Sequence, residues 1–482
     1  MRVGVVAVVG VLSLVSSAHA AVTQTTIMTD PFTNTSSQHR TAVEPDSFSW
    51  GNTIVAASQV GRFTNGGGSG TGWATSTDGG TTWTQGVLPG ITTHNGNGGT
   101  FDRVSDPVVA YSARHNVWLI NTIPITSSVT VPRVFVSRST NGGLTWGNPV
   151  TVATSATANL DKNWIVCDNT ATSPFYGRCY VTWDDHADGN RLYNSVSTDG
   201  GLTWSTPRRT ANNATGLGAQ PVVQPNGTVV VPVANANATA LLSYRSTDGG
   251  ATWSSTQTIT SIPSHDPASN LRSIPLPSAE IDAAGRVYVV WQDCRFRTSC
   301  RVNDIVMTTS TNGTTWTTVQ RIPIDSTTSG VDHFIPGIGV DRTTSGSTAR
   351  LGLTYYFYRN GACGTSCSLE VGYIQSNNGG STWSNHVDVA GPFPVSWTAN
   401  TTQGRMVGDY ISTSWVNGRA YGVFSVALAA PSNSQTFNQP IRVPTGGLSG
   451  AVSGFVNTSE GEQPVNGAAS DHASPRSAIR MH

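Results

Sequence analysis

Six copies of one short phrase recur along this chain, and they restrict its fold more than any other feature. The first copy reads STDGGTTW from Ser76 to Trp83, and later copies keep the Asp or Asn, the Gly and the final Trp. The copies end at Trp83, Trp146, Trp204, Trp253, Trp316 and Trp383. The Asp or Asn can accept a hydrogen bond from the backbone two residues on, Gly permits positive φ, and Trp can pack beneath the turn. Each copy therefore predicts a tight turn between two antiparallel strands.

A second pattern repeats around these phrases. It consists of an apolar strand, a Gly or Asn turn, another apolar strand, a variable loop, and the strand that enters the phrase. Seven such units begin near residues 42, 106, 163, 220, 277, 334 and 408, and the last carries no phrase. Intervals of roughly 50 to 65 residues are typical of propeller blades. The sequence therefore predicts an all-β, seven-bladed β-propeller, with six blades as the alternative. It leaves open whether Thr25 to Phe32 or Gln439 to Val443 closes the last blade.

Composition agrees with this fold and excludes one class of partner. The 482 residues include 51 Gly, and only 11% are charged, which suits an all-β chain with many turns. Formal net charge is zero, and the chain has no Lys/Arg runs, so we expect no nucleic-acid partner. We expect a monomer.

The first 20 residues have the apolar run and small-residue ending of a secretory signal, with cleavage expected after Ala20. Residues 21–445 form the predicted propeller, and residues 446–482, rich in Gly, Ser, Ala and Pro, are expected to be a flexible tail. No later stretch has the ~20 apolar residues of a membrane span. The sequence therefore predicts a secreted protein without a membrane anchor.

Six cysteines in a secreted chain favour disulfides between sequence neighbours, with zinc as the competing explanation. The expected pairs are Cys167 with Cys179, Cys294 with Cys300, and Cys363 with Cys367. No cofactor is expected. The chain has no DxDxDG-type calcium loop, and only a structural Ca²⁺ is left open.

The repeated phrase resembles the Asp-box of BNR-repeat propellers in the sialidase superfamily. In that family the Asp-containing turn joins the third and fourth strands of a blade. The resemblance implies that the binding face lies opposite, among the loops between blades and between second and third strands. The motif also occurs in hydrolases, lyases and binding proteins, so it indicates a scaffold and not a reaction.

Basic side chains are frequent in these loops. Arg103, Arg272 and Arg405 stand just before innermost strands, and Lys162 and Arg295 lie in similar loops. Because guanidinium binds carboxylate through paired hydrogen bonds, we expect an acidic oligo- or polysaccharide as ligand. The alternative is that each Arg pairs with a neighbouring carboxylate (Asp102, Asp106 or Asp409) and ties blades together.

Histidines supply candidate proton carriers. His94, His265 and His333 are expected in loops between blades, and a neutral imidazole is a suitable general base. The chain departs from sialidases: the nearest early match to their first arginine motif is His39-Arg40-Thr41-Ala42, and only five glutamates occur. Seven blades and abundant Arg and His instead resemble polysaccharide lyases that act at uronate linkages.

The sequence therefore predicts an exo-acting polysaccharide lyase working by β-elimination. His94 is the leading base or acid, Tyr410 or His333 is its partner, and Arg103, Arg272, Arg405, Arg295 and Lys162 bind substrate. A sialidase-like hydrolase is the first alternative. A non-catalytic glycan-binding propeller is the second, with Trp164, Trp397 and Phe334 as stacking platforms.

Overall fold

The computed structural model describes residues 22–155, 159–430 and 437–449, together with the backbone of a short strand, Phe455–Asn457. The predicted signal segment and most of the predicted tail lie outside these residues.

Most of the described strands group into seven four-stranded antiparallel units, called sheets 1 to 7 in chain order; sheets 1 and 2 are joined by pairing of Gly68 with Val104, and a fifth short strand pairs with sheet 7. Each of the seven sequence units starts in the first strand of its own sheet or up to four residues before it. Sheet 1 contains Gln38–Trp50, Thr53–Arg62, Gly68–Ser76 and Thr84–Val87, and sheet 2 contains Arg103–Ser112, Val117–Ile125, Arg133–Ser139 and Val150–Thr154. Sheet 3 contains Leu160–Cys167, Cys179–Asp185, Arg191–Ser197 and Arg208–Arg209, and sheet 4 contains Val222–Val223, Val229–Ala234, Ala240–Ser246 and Gln257–Ser261. Sheet 5 contains Ser278–Ile281, Val287–Asp293, Asp304–Ser310 and Gln320–Arg321, and sheet 6 contains Asp332–Val340, Leu351–Tyr358, Ser368–Ser376 and Val387–Pro394. Sheet 7 contains Ser412–Val416, Arg419–Ser425, Ile441–Pro444 and Gln24–Met28.

Short elements complete the described structure. The additional strands are Thr382–Ser384, Ala399–Thr401, Gly404–Met406, Leu448–Ser449 and Phe455–Asn457. The 3-10 helices are Thr93–Asn95, His186–Asp188, Thr298–Cys300, Gly346–Thr348 and Val395–Trp397.

Both candidate closing segments belong to sheet 7. Ile441–Pro444 is its third strand, and Gln24–Met28 pairs outside it as the fourth. The two ends of the chain therefore meet within one sheet, which ties the first described residues to the last strands.

The first strands of consecutive sheets lie side by side, and the first strand of sheet 7 contacts that of sheet 1. Hydroxyl groups hold this last contact: Ser47 Oγ lies 2.7 Å from Ser412 Oγ and 2.9 Å from Ser414 Oγ. Apolar side chains of adjacent sheets fill the space between them; one cluster joins Val108 and Ile123 of sheet 2 to Ile165 and Val181 of sheet 3. Burial of this apolar surface is the main favourable term for such a structure.

Each of the six repeated phrases begins at the last residue of the third strand of its sheet and leads toward the fourth strand. In the first, Asp78 Oδ1 accepts from the backbone N–H of Thr81 at 3.0 Å and of Thr82 at 2.9 Å, and Trp83 Nε1 donates to Gly80 O. In this copy the bonded amides are three and four residues on, not two, whereas in the fifth copy Asn312 Oδ1 accepts from Thr314 N–H, two residues on, at 2.9 Å as expected. Hydrogen bonds from Thr82 and Ser76 lower the pKa of Asp78 to about 2. We call the side of the molecule that carries these turns the turn face, and the opposite side the loop face.

All three expected disulfides are present: Cys167–Cys179, Cys294–Cys300 and Cys363–Cys367. The first joins directly opposed residues of adjacent strands in sheet 3. Two short strands fall where the sequence predicted only a flexible tail, which corrects that prediction for those residues: Leu448–Ser449 pairs with sheet 7, and Phe455–Asn457 pairs with Thr382–Ser384. Within the described ranges, no helix is long and apolar enough to cross a bilayer.

Candidate functional site: a buried charged cluster

Five charged side chains meet where the first strands of the sheets converge, and we call them the charged cluster. Lys162 Nζ lies 2.8 Å from Asp409 Oδ2, 3.1 Å from Asp106 Oδ2 and 3.5 Å from Glu44 Oε1. Arg272 holds the same Asp409 through two bonds, with Nε donating to Oδ1 at 2.7 Å. All five side chains are buried, and Glu44 is 0% exposed. A concentration of buried charge of this kind is typical of functional sites, although structural networks also produce it.

Backbone irregularities direct three of these side chains to one point. Glu44, Asp106 and Lys162 have φ of 58°, 49° and 45°, which non-glycine residues rarely adopt. Each lies at a shift of register in the first strand of sheet 1, 2 or 3. A bulge bends the strand and re-aims a side chain. The same bulge occurs in sheet 6 at Ile335, with φ of 49° at a shift of register, so the bulge is a feature of the fold and the charged residues at three of these positions distinguish the site.

Gly408 allows the segment that carries Asp409 to lie against the first strand of sheet 1. Its φ is 152°, and a Cβ there would lie 2.8 Å from the Cα of Glu44. Glu44 N–H also donates to Val407 O at 2.9 Å. Only glycine allows this approach, which places Asp409 beside Lys162 and Arg272.

Burial and neighbouring charges have opposite effects on the pKa values of the cluster. Burial raises the pKa of Glu44 to about 8, although Lys162 opposes the rise. Burial also works against charge on Asp409, but Arg272 and Lys162 hold its pKa well below the usual value. Burial works against charge on Lys162 too, yet Asp106, Asp409 and Glu44 keep its pKa well above the usual value. The cluster thus contains one carboxyl, Glu44, that gains and loses its proton near neutral pH.

A polar chain connects Glu44 to Arg62. Gln59 donates to Glu44 and, at 3.0 Å, to Ser105 Oγ, while its Oε1 accepts from Arg62 Nη1 at 3.0 Å. Ser105 in turn donates to Asp106 at 2.6 Å. Burial, with the charge of Arg272, lowers the pKa of Arg62 to about 10, so it stays cationic at neutral pH. Arg62 is therefore a third cation of this site.

A hairpin, Ala399–Thr401 with Gly404–Met406, lies against the cluster from the loop face; we call residues 399–406 the strap. Arg405 accepts from Arg272 N–H at 2.7 Å and donates its own N–H to Asn270 O at 2.7 Å. Thr402 N–H donates to Thr64 O at 2.9 Å, and Gln38 exchanges side-chain hydrogen bonds with the backbone of Asn400. The strap thus connects sheet 1 to the segment that precedes sheet 5, through hydrogen bonds on each of its two sides.

The structure brings three predicted site residues together: Lys162, Arg272 and Tyr410. Tyr410 packs edge-on against Trp164, and its ring lies 6.0 Å from Lys162 Nζ. Its hydroxyl donates to Pro107 O at 3.1 Å, and burial raises its pKa well above the usual value. A phenol so engaged is a poor proton donor to a ligand. Arg405 lies on the strap, where Nη1 donates to Thr398 O at 2.9 Å.

His94 and Arg103 form a second group beside the first. Arg103 donates to Asp102 at 2.8 Å and to Asn65 at 2.6 Å, and its guanidinium lies 4.1 Å from the centre of the Phe63 ring. His94 packs against the same ring and has Nε2 3.8 Å from Asp102 Oδ1. Within the described residues this nitrogen makes no hydrogen bond. Phe63 follows Arg62 directly, so the two groups meet at the end of one strand of sheet 1.

Two predicted residues lie elsewhere. His333 was expected in a loop near the axis; it is instead 1% exposed within the strand Asp332–Val340, packed against Tyr355 and Phe357. Burial lowers its pKa to about 4. Arg295 makes two bonds to Asp293 in its own loop. Neither side chain contacts the charged cluster.

The contacts favour the alternative expectation for the arginines, namely that each pairs with a carboxylate of the protein itself. Arg103, Arg272 and Arg295 each hold an internal carboxylate, from Asp102, Asp409 and Asp293 respectively. None of these three arginines presents an unoccupied guanidinium to a ligand. Any substrate carboxylate would have to share or displace an existing partner.

The sequence analysis missed several members of the site. Glu44 was noted only as one of few glutamates, and Gln59 was not considered, because both lie inside strands and not in loops. It placed His186 among the polar loop residues but gave it no role, and its Nε2 lies 2.9 Å from Asp161 Oδ2, next to Lys162 in the chain. Burial would lower the pKa of His186, but Asp161 and Asp184 raise it to about 9. The DDH run at residues 184–186 was the available signal.

One group has the spacing of metal ligands. Ligand atoms of Asp304, Asp325 and His333 lie within 4.8 Å of one another. However, Arg297 and Arg321 contact both carboxylates at distances between 2.5 and 2.9 Å. Two guanidinium groups already neutralise these acids, so we assign this group to an ion-pair network between sheets 5 and 6.

Comparison with known proteins supports the resemblance drawn from the repeated phrases. Residues 130–337 match the model of a BNR repeat-like domain. No curated protein sequence matches the chain.

Many solved structures resemble the fold at low sequence identity. A Dyadobacter fermentans protein of unknown function is 18% identical, with 74% of this chain and 99% of that chain covered and a TM-score of 0.46. A Hadza microbial sialidase is 16% identical, with 66% and 65% covered and a TM-score of 0.45. An ulvan lyase of a polysaccharide lyase family is 10% identical, with 87% and 95% covered and a TM-score of 0.46. The strands of the described residues make the fold all-β, and the family match gives it a BNR repeat-like segment at residues 130–337.

Proposed function

We propose that this protein is a secreted carbohydrate-active enzyme whose seven sheets close into a seven-bladed β-propeller, with the charged cluster as its active site. The contact between the first strands of sheets 7 and 1 supports closure. The observation that carries the site is the convergence of Glu44, Asp106, Lys162, Arg272 and Asp409 through three strained bulges. Because the bulge also occurs at the apolar Ile335 of sheet 6, the buried charge, and not the bulge itself, is what marks this place as a site.

The preferred substrate is a glycan end with an acidic sugar. At pH 7 Glu44, with its pKa of about 8, is mostly protonated. A proton on Glu44 removes one negative charge from the neighbourhood of the cations Lys162, Arg272 and Arg62. Buried cations with fewer anionic partners favour a carboxylate ligand.

The reaction is a β-elimination that needs a proton acceptor and a donor. The cations lower the acidity barrier at C5 by binding the C6 carboxylate. His94 Nε2, which makes no hydrogen bond within the described residues, takes the C5 proton. The electron pair forms the C4=C5 double bond, the C4–O bond breaks, and neutral Glu44 gives its proton to the leaving oxygen. Glu44 replaces Tyr410 and His333 as the donor because both of those side chains are otherwise engaged.

The test uses a gum with terminal rhamnosyl-glucuronate and follows absorbance near 235 nm, where the unsaturated product absorbs. Glu44→Gln and His94→Ala are expected to lower the rate at least 100-fold. Glu370→Gln is the matched control, because Glu370 pairs with Arg359 in sheet 6 and does not contact the cluster. Equal rates in all variants would contradict the assignment.

A hydrolase is the second candidate, favoured by three carboxylates, Glu44, Asp106 and Asp409, around one lysine. Paired carboxylates are the usual equipment of glycoside hydrolases. Release of a free acidic sugar without a rise in absorbance would identify this reaction in place of elimination.

A further inference from the structure

A cavity lies on the other side of the molecule from the strap. It has a volume of about 280 Å³ and is lined by the turn-face ends of the first strands, among them Trp50, Asn169, Val223, Asp282 and Arg342. No member of the charged cluster lines it. The cavity is at the small end of the roughly 300–1,000 Å³ typical of ligand sites, so it fits a molecule about the size of a monosaccharide.

A buried carboxyl lines this cavity without a cationic partner. Asp46 is 4% exposed, and its Oδ2 accepts from Val109 N–H at 2.8 Å. Across the described residues, no Lys, Arg or His side chain forms an ion pair with it. The other charged groups that line the cavity are Glu280 and Arg342, which pair with each other at 3.1 Å, and Asp282, whose Oδ2 accepts from Gly346 N–H at 2.9 Å. The cavity therefore has two more acidic groups than cations.

Aromatic rings form part of the same wall. Phe48, Trp50 and Trp164 line the cavity, and the Arg342 guanidinium already lies 4.0 Å from the centre of the Phe48 ring. Trp50 is 37% exposed, unusual for a side chain of this size. Aromatic faces attract cations, and this attraction is strongest where water is excluded.

From these features we infer that the turn-face cavity is a binding site for a small organic ammonium ion of amino-sugar size. The ammonium group forms an ion pair with Asp46, and the carbon skeleton packs against Trp50 and Trp164. Nothing in this inference depends on the reaction at the charged cluster.

The ionisation of Asp46 gives the inference a distinctive signature. Burial raises the pKa of Asp46 to about 8, and Glu280 adds to the rise. The empty site therefore holds a neutral carboxyl at pH 6.5. An ammonium ligand stabilises the carboxylate, so binding releases close to one proton for each ligand bound.

The experiment is calorimetric titration of the full-length secreted protein with glucosamine at pH 6.5, in two buffers of different ionisation enthalpy. Saturable binding with release of about one proton supports the inference. N-acetylglucosamine, which has no ammonium group, is expected to bind at least tenfold more weakly. Equal binding of the two sugars, binding without proton release, or the same proton release with sodium chloride alone overturns it.

Variants locate the site. Asp46→Asn is expected to weaken glucosamine binding at least tenfold and to abolish proton release, while Asp266→Asn, on an exposed loop of the loop face, changes neither. Near-UV circular dichroism checks that the Asp46 variant is folded, and the wild-type proton count tests the inference even if it is not. Unchanged binding by folded Asp46→Asn overturns the inference. Cleavage of the acidic glycan is measured in parallel, so failure of this site and failure of the proposed enzyme remain distinguishable.

Discussion

At the scale of single residues, the partners of the arginines show whether these side chains are available to bind a ligand or hold parts of the protein together. The sequence marked Arg103, Arg272 and Arg295 as ligand binders, and each holds an internal carboxylate. The sequence could locate these side chains in loops, but it could not show which acid would lie within hydrogen-bond distance. That information depends on how separate sheets pack.

Glu44 predicts how stability varies with pH. Its pKa is raised to about 8 in the folded protein from the usual 4.5, so the folded state binds more protons than the unfolded state between these values. Stability should therefore fall as pH rises from 5 to 8, with Glu44 contributing a slope of up to about 1.4 kcal/mol per pH unit.

Urea unfolding at several pH values measures this slope. Glu44→Gln is expected to flatten the profile, whereas Glu370→Gln should leave most of it in place. Identical profiles for wild type and Glu44→Gln would show that Glu44 is not the group that titrates.

Lys162 predicts a large loss of stability. It contacts three buried carboxyl groups, so Lys162→Met would leave acids buried without their partner. Removal of one partner from a buried ion pair costs about 3–5 kcal/mol. The free energy of unfolding in urea checks this, with Arg350→Met, a half-exposed cation paired with Asp341, as a control expected to lose less than about 1 kcal/mol.

At the scale of elements, the strap decides whether the cluster can receive a ligand. Its tip, residues 400–405, is held by backbone bonds to Thr64, Asn270 and Arg272, whereas its base, Ala399 and Met406, is fully buried against Val43. Elements with few buried apolar contacts open at low free energy. We therefore expect the tip of the strap to open while the sheets remain folded.

A disulfide can test this opening. Thr402 N–H donates to Thr64 O at 2.9 Å, which places the two residues beside each other for a Thr64→Cys, Thr402→Cys pair. Oxidation of the pair should slow amide hydrogen exchange of Arg272 and Arg405 and abolish turnover of polymeric substrate.

Mild reduction should restore both properties, and wild type under the same reductant shows whether the native disulfides matter. If exchange of these two amides is already as slow as in the central strands before oxidation, the strap does not open independently.

At the scale of the whole molecule, stability depends on the junction of the two chain ends in sheet 7. Gln24–Met28 forms the outermost strand and buries Ile27 and Met28. Without it, Ile441–Pro444 becomes an exposed edge and the apolar surface between sheets 7 and 1 is uncovered.

Deletion of residues 22–29 should therefore lower the melting temperature of the entire protein by more than about 10 °C, since a few kcal/mol is a large part of total stability. Scanning calorimetry measures this, and Thr33→Ala, an exposed position just after the strand, is the control. An unchanged melting temperature would mean that sheet 7 closes without this strand.

The sequence by itself determined the features that depend on local chemistry. The turn phrases, the seven strand units and the three disulfides all follow from residues close together in the chain, where Gly, Asp and Trp act on their own turn. The charged cluster depends on contacts of another kind. Lys162 meets Asp409 across 247 positions and Glu44 across 118, and the bulges that aim these side chains have no marker in the sequence. Only tertiary structure decided which charges meet, because burial and partner, not residue type, set how each group ionises.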